Sequence, residues 1–327
     1  MTLAEPPYYE SRYIRANHPD LPQALWLRET LLLPSAGEPV ADVWVMTFDP
    51  DGAGNRALKE PYPIDSAEFD YDNWTARIAA TVLDDRSAQG VVTGGPSLIA
   101  GSAGGRSARW DLRITAGDEH PVKLLTERAY AARLPTAKTT VRHPLARFDG
   151  LLELDDVRLV VDGWSGSVNH NWGSRHTPAY AYGQVCGFDD APETTLEIVT
   201  ARAALGPLLL PGVTLFVFRH AGREFAVRTI RGSLHTHGRY RPFAWTFGGR
   251  IDDQMIEGEI VTEPAGVIGL TYTDTDGMTK YCYNSAIATC RIQLAGKTFE
   301  RAELTATRRT MFEILTDTRH ESVPLLA

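Results

Sequence analysis

The sequence predicts an all-β protein built as two antiparallel barrels in tandem. Two observations predict it. Apolar and polar residues alternate with period two along most of the chain, the pattern of half-buried strands. Turn-forming clusters recur at short intervals, among them Asp49-Pro50-Asp51-Gly52, Gly94-Gly95-Pro96, His220-Ala221-Gly222 and Asp274-Thr275-Asp276-Gly277. Long 3.6-residue periods are scarce, which excludes a parallel α/β design.

In chain order, residues 24–33, 41–48, 75–83, 109–115, 148–154 and 158–162 read as strands. So do 179–188, 194–203, 213–219, 224–231, 244–251, 255–263, 266–273, 281–292 and 301–308. Residues 121–133 carry either a short helix or another strand. That many strands fill two antiparallel units. The boundary is expected where Thr177-Pro178 interrupts the pattern, giving one barrel over residues 1–175 and a second over 176–327. The Gly/Ser-rich stretch 94–105 reads as a mobile loop or a lid. No internal sequence repeat relates the two halves.

Composition narrows the function. Of 327 residues, 43% are hydrophobic and 23% charged, ample for a packed core. The balance of 33 basic against 41 acidic residues gives −8, which argues against a nucleic-acid partner. The opening Met1-Thr2-Leu3-Ala4-Glu5-Pro6-Pro7 has neither a charged nor an apolar leader region, and no apolar run reaches membrane-span length. A cytoplasmic location is expected. Cys186, Cys282 and Cys290 lack metal-site spacing. Either Cys282 and Cys290 meet across a hairpin or all three are buried reduced thiols.

The densest chemistry lies mid-chain, in Gly163-Trp164-Ser165-Gly166-Ser167-Val168-Asn169-His170-Asn171-Trp172-Gly173-Ser174-Arg175-His176. If this stretch is extended, Trp164, Val168, His170 and Trp172 share one face. His170 then lies among aromatic rings, as a proton-handling or ligand-orienting group or as a partner for orphaned backbone groups.

This stretch, continuing into Tyr180-Ala181-Tyr182-Gly183-Gln184, also carries a resemblance. With Glu10-Ser11-Arg12-Tyr13-Ile14-Arg15-Ala16-Asn17, Ala24-Leu25-Trp26-Leu27-Arg28-Glu29-Thr30 and Tyr281-Cys282-Tyr283-Asn284-Ser285, it resembles the superfamily of bacterial carotenoid 1,2-hydratase. Tocopherol cyclase and lipocalin-type Diels–Alderases are its structural relatives. The resemblance implies two tandem lipocalin-like barrels. Such barrels host cyclases, hydratases and plain binders.

Tyr180, Tyr182 and Gln184 alternate with Ala179, Ala181 and Gly183, so one face is polar-tipped and the other bare. The bare face either walls a cavity or permits a tight sheet contact. Trp26, Arg28 and Thr30 share a face, which leaves Glu29 on the apolar face with Leu25, Leu27 and Leu31. A buried carboxylic acid there has a raised pKa and suits alkene chemistry, unless it pairs with Arg15 or Lys59. Asp162 is a second acid candidate or the start of a turn. His170 and His176 lack a third ligand, and His235-Thr236-His237 reads as a surface pair, so no metal is expected. There is no Gly-x-Ser-x-Gly elbow, phosphate loop or dinucleotide fingerprint, so no cofactor is expected either.

The expected catalytic residues are therefore His170, His176 and Glu29. The expected substrate-binding set is Trp26, Trp44, Trp164, Asn171, Trp172, Tyr180, Tyr182 and Gln184. The expected activity is cofactor-independent hydration, isomerisation or cyclisation of an apolar terpenoid or polyketide-like molecule at a barrel mouth. The competing expectations are a non-catalytic carrier of an apolar ligand, or a structural role with side-chain-filled barrels.

Overall fold

The computed structural model describes residues 5–51, 54–93, 106–202 and 211–327, together with the backbone of two short strands within 203–210. The first sheet holds β1 (Tyr8–Asn17), β2 (Ala24–Leu33), β3 (Val40–Phe48), β4 (Arg56–Pro63), β5 (Ala67–Asp70), β6 (Thr75–Ile78), β7 (Thr81–Leu83), β8 (Ser87–Thr93), β9 (Ser107–Ala116), β10 (Val122–Lys123), β11 (Ala137–Leu154) and β12 (Val157–Gly173). The second holds β13 (Ala179–Phe188), β14 (Ala191–Arg202), β17 (Val213–His220), β18 (Arg223–Val227), β19 (Thr236–Arg241), β20 (Ala244–Ile251), β21 (Gln254–Val261), β22 (Ile268–Thr273), β23 (Thr279–Gly296) and β24 (Arg301–Thr316). Between β14 and β17, β15 (Ala204–Leu205) and β16 (Leu208–Leu209) form a separate pair. Both large sheets are antiparallel and curled, one nearly closed and one a half-barrel.

The two sheets share one topology. Each begins as a meander running outward, and its first strand pairs with its last. Tyr13 faces Asn169 in the β1–β12 ladder, and Gln184 faces Met311 in the β13–β24 ladder. In each sheet the penultimate strand also takes one short extra partner, β10 on β11 and β22 on β23. This repeat is structural and leaves no trace in the sequence.

Several expected elements change. Residues 75–83 are two strands, β6 and β7, joined through Ala79 at φ +50°. Residues 121–133 hold both a strand, β10, and a one-turn helix, α1 (Glu127–Ala131). The expected strand 148–154 is the outer part of an 18-residue strand. The part before it, residues 137–147, is disguised by Pro144 and by register shifts against β12 between Val141 and His143 and between His143 and Ala146. Strands β4 and β19 escape the period-two signal because they are sheet ends. β4 carries Lys59, Glu60, Pro61 and Pro63, the residues tolerated at an edge. The expected loop at 94–105 lies outside the described residues.

Three large apolar clusters fill the fold, with a small fourth one of Val267, Tyr283 and Val323 at the end of the second sheet. One lies inside the first sheet around Trp110, Phe148 and Trp164, and one inside the second around Trp245, Phe247 and Phe312. The third joins the sheets through Tyr13, Trp26 and Trp44 on one side and Tyr182, Cys282 and Met311 on the other. All three cysteines are free and buried.

Candidate active site

Strand alternation creates the seam between the sheets. On β1 and β2, Ile14, Leu25, Leu27 and Leu31 point into the first core, while Tyr13, Trp26 and Arg28 point out of it. This outer face meets β13 and β22–β24. The meeting surfaces do not close completely, and a cavity of about 580 Å³ remains, walled by Tyr9, Arg28, Trp44, Lys59, His176 and Tyr272.

His176 lies in the link between β12 and β13. Its ring stacks on Tyr9, with centroids 3.8 Å apart and planes at 17°. Nδ1 lies 2.9 Å from Asp274 Oδ1, and the His176 backbone N–H donates to the same oxygen at 3.1 Å. Asp274 is fully buried. Burial alone would raise its pKa, but the hydrogen bonds from His176 and the Thr275 backbone hold it at about 2. A permanently ionised carboxylate on Nδ1 fixes the ring tautomer and leaves Nε2 for proton exchange.

Beside the imidazole, Arg28 Nη1 donates to Tyr272 Oη at 2.6 Å. The guanidinium carbon lies 4.9 Å from the Tyr272 ring centroid, and that ring lies 6.4 Å from His176. Arg28 Nε is buried and has no hydrogen-bond partner among the described residues. Trp44 stands edge-on to Tyr272 at 5.3 Å; its Nε1 donates to Thr30 Oγ1 at 3.4 Å, and Lys59 Nζ sits 4.4 Å above its ring. Lys59 also pairs with Asp42 at 3.6 Å.

Behind the cavity runs a buried polar network. Gln184 accepts from Arg15 Nε at 2.6 Å and Ser167 Oγ at 2.7 Å. It donates to Asn169 Oδ1 at 2.8 Å and Glu197 Oε2 at 2.9 Å. Tyr182 donates to Glu197 and Tyr180 to Glu313. Burial lifts the Glu197 carboxyl to a pKa of about 7, against the pull of the Tyr182 and Gln184 hydrogen bonds. The bare side of β13 is a packing surface: a Cβ on Gly183 would lie 2.6 Å from Ile260 Cδ1.

Of the residues expected from sequence, His176 and Trp44 line the cavity. Tyr180, Tyr182, Gln184 and Trp26 lie in the adjoining seam, Trp26 edge-on to Tyr13 at 5.8 Å. His170 is elsewhere. Its Nε2 lies 2.9 Å from Glu10 Oε1, and its ring stacks on Trp172 at 4.5 Å, which in turn stacks on Tyr130. Burial would raise the Glu10 pKa, but His170 and two tyrosine hydroxyls hold it below the usual carboxylate range. Asn171 accepts from Thr139 Oγ1 at 2.7 Å. Trp164 is fully buried in the first core.

Glu29 points into the first core, as its place on the apolar face requires. It accepts from Thr81 Oγ1 at 2.8 Å, its other oxygen has no partner among the described residues, and burial lifts its pKa to about 8. The expected ion-pair alternatives are corrected: Lys59 serves Asp42, and Arg15 serves Gln184 and Asn17. A void of about 10 Å³ beside Glu29 has room for roughly one water. Asp162 is also corrected. It is an exposed residue within β12, paired with Arg147 at 3.4 Å, and the chain continues past it through a glycine at φ +66°. His237 is exposed beside Glu257 at 3.3 Å. Among the described residues, no group of three or more His, Cys, Asp or Glu is arranged to hold a metal.

Sequence reasoning missed Tyr9, Lys59, Tyr272 and Asp274. Only Asp274 left a signal, as the first residue of an Asp-Thr-Asp-Gly turn, where an aspartate reads as a turn former.

No family model matches the sequence. Two uncharacterised proteins of Mycobacterium tuberculosis, MT0513 and Rv0493c, are each 27% identical to this chain over 290 residues, covering 87% of it and 80% of the relative. Among solved structures, the chain is similar to CghA (TM-score 0.61, 9% identity, 96% of this chain and 90% of that one). It is also similar to kievitone hydratase from Nectria haematococca (TM-score 0.52, 10% identity, 95% and 89%) and to a putative AttH from Nitrosomonas europaea (TM-score 0.54, 10% identity, 94% and 92%). At these identities the likeness is one of fold, and the fold is that of tandem lipocalin-like barrels. No helix among the described residues is long and apolar enough to cross a membrane.

Proposed function

We propose that the seam cavity binds a largely apolar small molecule, terpenoid or polyketide-like, that carries an oxygen head group. His176 then acts as the proton-transfer residue of a hydration, isomerisation or cyclisation. The observation that carries this reading is the His176–Asp274 pair on the wall of a cavity that also presents Arg28 and Tyr272. The volume of about 580 Å³ falls within the usual range for ligand sites.

The geometry favours reactions next to a polarised oxygen. Arg28 and Tyr272 would receive a substrate carbonyl and stabilise the negative charge that develops on it. In a hydration, His176 takes a proton from water as its oxygen bonds to the β-carbon of a conjugated double bond. The imidazolium then returns that proton to the α-carbon, so water is added and nothing else is consumed. Isomerisation uses the same base without water: His176 takes a proton from the α-carbon of a β,γ-unsaturated carbonyl, Arg28 and Tyr272 hold the dienolate oxygen, and the imidazolium returns the proton to the γ-carbon. An isolated double bond, as in a carotenoid, needs a strong acid instead, and Glu29, the neutral buried carboxyl, faces the first core rather than the cavity. The proposal therefore keeps the hydratase or cyclase class, assigns no role to a cofactor, and takes the chain as cytoplasmic with domains at 1–175 and 176–327.

The test starts with native mass spectrometry of protein purified gently from its host, to identify a retained ligand. That ligand and its analogues are then incubated with wild-type protein and with His176→Ala, each checked for folding by circular dichroism. Product from the wild type and a loss of about 10²–10⁴-fold in the variant support the proposal. A ligand bound and released unchanged by both proteins supports the carrier reading and sinks the enzyme one.

A further inference from the structure

A second cavity, of about 290 Å³, opens at the end of the second sheet, and His176 does not line it. Its walls are apolar: Phe312, Ile314 and Leu315 from the end of β24, with Val267, Phe243 and Val323 around them. Its ionisable lining groups are Arg202, Arg241, Arg319, His320, Tyr240 and Tyr283. Among the described residues, no aspartate or glutamate lines it. In a chain of net charge −8, a concave apolar site fringed by three guanidinium groups and no carboxylate is strongly biased toward anions.

Three details show a site shaped for an occupant. Arg241 and Arg319 are exposed and have neither an ion pair nor a hydrogen bond recorded among the described residues. Tyr283 Oη accepts from the His320 backbone N–H at 2.5 Å, so its own proton remains free to donate. Phe243 sits at φ +69° in the two-residue turn between Arg241 and Ala244, edge-on to the His320 ring at 5.6 Å. That backbone region is the glycine position of a tight turn. Holding a phenylalanine there is strained, and it sets a large apolar ring at the cavity mouth.

We propose that this cavity is a second binding site, distinct from the seam, for an apolar molecule bearing an anionic oxygen head group: carboxylate, sulfate or phosphate. The tail lies on Phe312, Ile314 and Val267, Phe243 covers it, and Arg241 and Arg319 grip the head. Guanidinium forks suit such head groups because they offer paired donors in one plane.

The probes are dodecanoate, dodecyl sulfate, dodecyl phosphate and dodecyltrimethylammonium, titrated by calorimetry below their micellar concentrations. The proteins are wild type, Arg241→Glu/Arg319→Glu, Phe243→Gly, and the seam variant Lys59→Glu. The proposal expects at least one of the three anions to bind and the cation not to. It expects the double variant to weaken anion binding by roughly tenfold or more, Phe243→Gly to weaken it while relieving backbone strain, and Lys59→Glu to leave it unchanged. Comparison of the three anions ranks the head groups. No anion binding, equal binding of the cation, or a loss caused by Lys59→Glu and not by the double variant would each overturn it. The last result would place the probe in the seam, so failure here is distinguishable from failure of the proposed catalytic site.

Discussion

His176 and Asp274 meet through two hydrogen bonds to one oxygen: the ring Nδ1 at 2.9 Å and the His176 backbone N–H at 3.1 Å. The pair joins the β12–β13 link to the turn after β22. It fixes the orientation of the imidazole at the cavity wall from a position nearly a hundred residues away in sequence.

Asp274→Asn should therefore damage turnover more than binding. It removes the charge that balances an imidazolium and lets the ring choose either tautomer. The expected result is a fall in kcat of about 10²-fold with KM little changed. Nitrogen NMR of His176 should show a mixed tautomer population. The same carboxylate has a pKa of about 2 against the usual 3.8, so its contribution to folding is complete above about pH 3.8 and is lost as pH falls toward 2. An unaltered kcat and tautomer in Asp274→Asn would remove the orienting role.

Glu29 shifts the other way. Its carboxyl is neutral in the folded protein up to about pH 8 but ionises near 4.5 when unfolded. Between those values the folded state holds the extra proton, so stability falls as pH rises, by at most about 1.4 kcal/mol per pH unit. Below pH 4.5 and above pH 8 the contribution is flat. Urea denaturation of Glu29→Gln should show a stability gain over wild type that is smallest near pH 5, grows through pH 8 and then levels. Parallel stability curves would show that Glu29 is ionised in the fold.

The seam network makes a sharper stability prediction. Gln184 satisfies Arg15, Ser167, Asn169 and Glu197 at once. Gln184→Leu leaves all four short of a partner in a buried interface, and each buried unsatisfied group costs about 1–3 kcal/mol. A loss of roughly 3 kcal/mol or more is expected in chemical denaturation. The effect should be non-additive with Asn169→Ala, because that change has already broken part of the same network. Additive losses would mean that the network is a set of independent contacts.

Much of this architecture is visible in the alternation of the sequence, and the reasons for the failures are specific. Strands 24–33, 179–188 and 244–251 match the sequence reading to the residue because they are interior strands bounded by clear turns, with alternation that holds from end to end. β4 and β19 were missed because edge strands carry charge and proline instead. The site is harder to read. Alternation separates Trp26, Arg28 and Thr30 from Leu25, Leu27 and Glu29, but it cannot say that the first set faces a second barrel. His176 stood out by composition. Asp274, Tyr9 and Tyr272 are joined to it only by tertiary structure, and period-two patterns hold no information about that.

The last prediction concerns Arg28, where stability and function should oppose each other. The residue is buried, donates to Tyr272 and, among the described residues, keeps Nε without a partner in a cavity wall. Replacing a buried charge together with the carboxylate that balances it by uncharged side chains is often neutral or stabilising, whereas removing one partner alone is costly; Glu313 is the carboxylate that acts on Arg28. Arg28→Met/Glu313→Gln should therefore unfold at an equal or higher Tm than wild type when empty. A ligand oxygen would complete the guanidinium's hydrogen bonds, so the ligand-induced rise in Tm should be large in wild type and nearly absent in the double variant. Arg28→Lys should rescue only part of it, since an ammonium lacks the paired donors. The double variant could instead lower the empty Tm by several degrees and retain the full ligand response. In that case Arg28 is a structural brace of the seam, and the head group of the substrate is held by another cavity residue, with Lys59 the first to test.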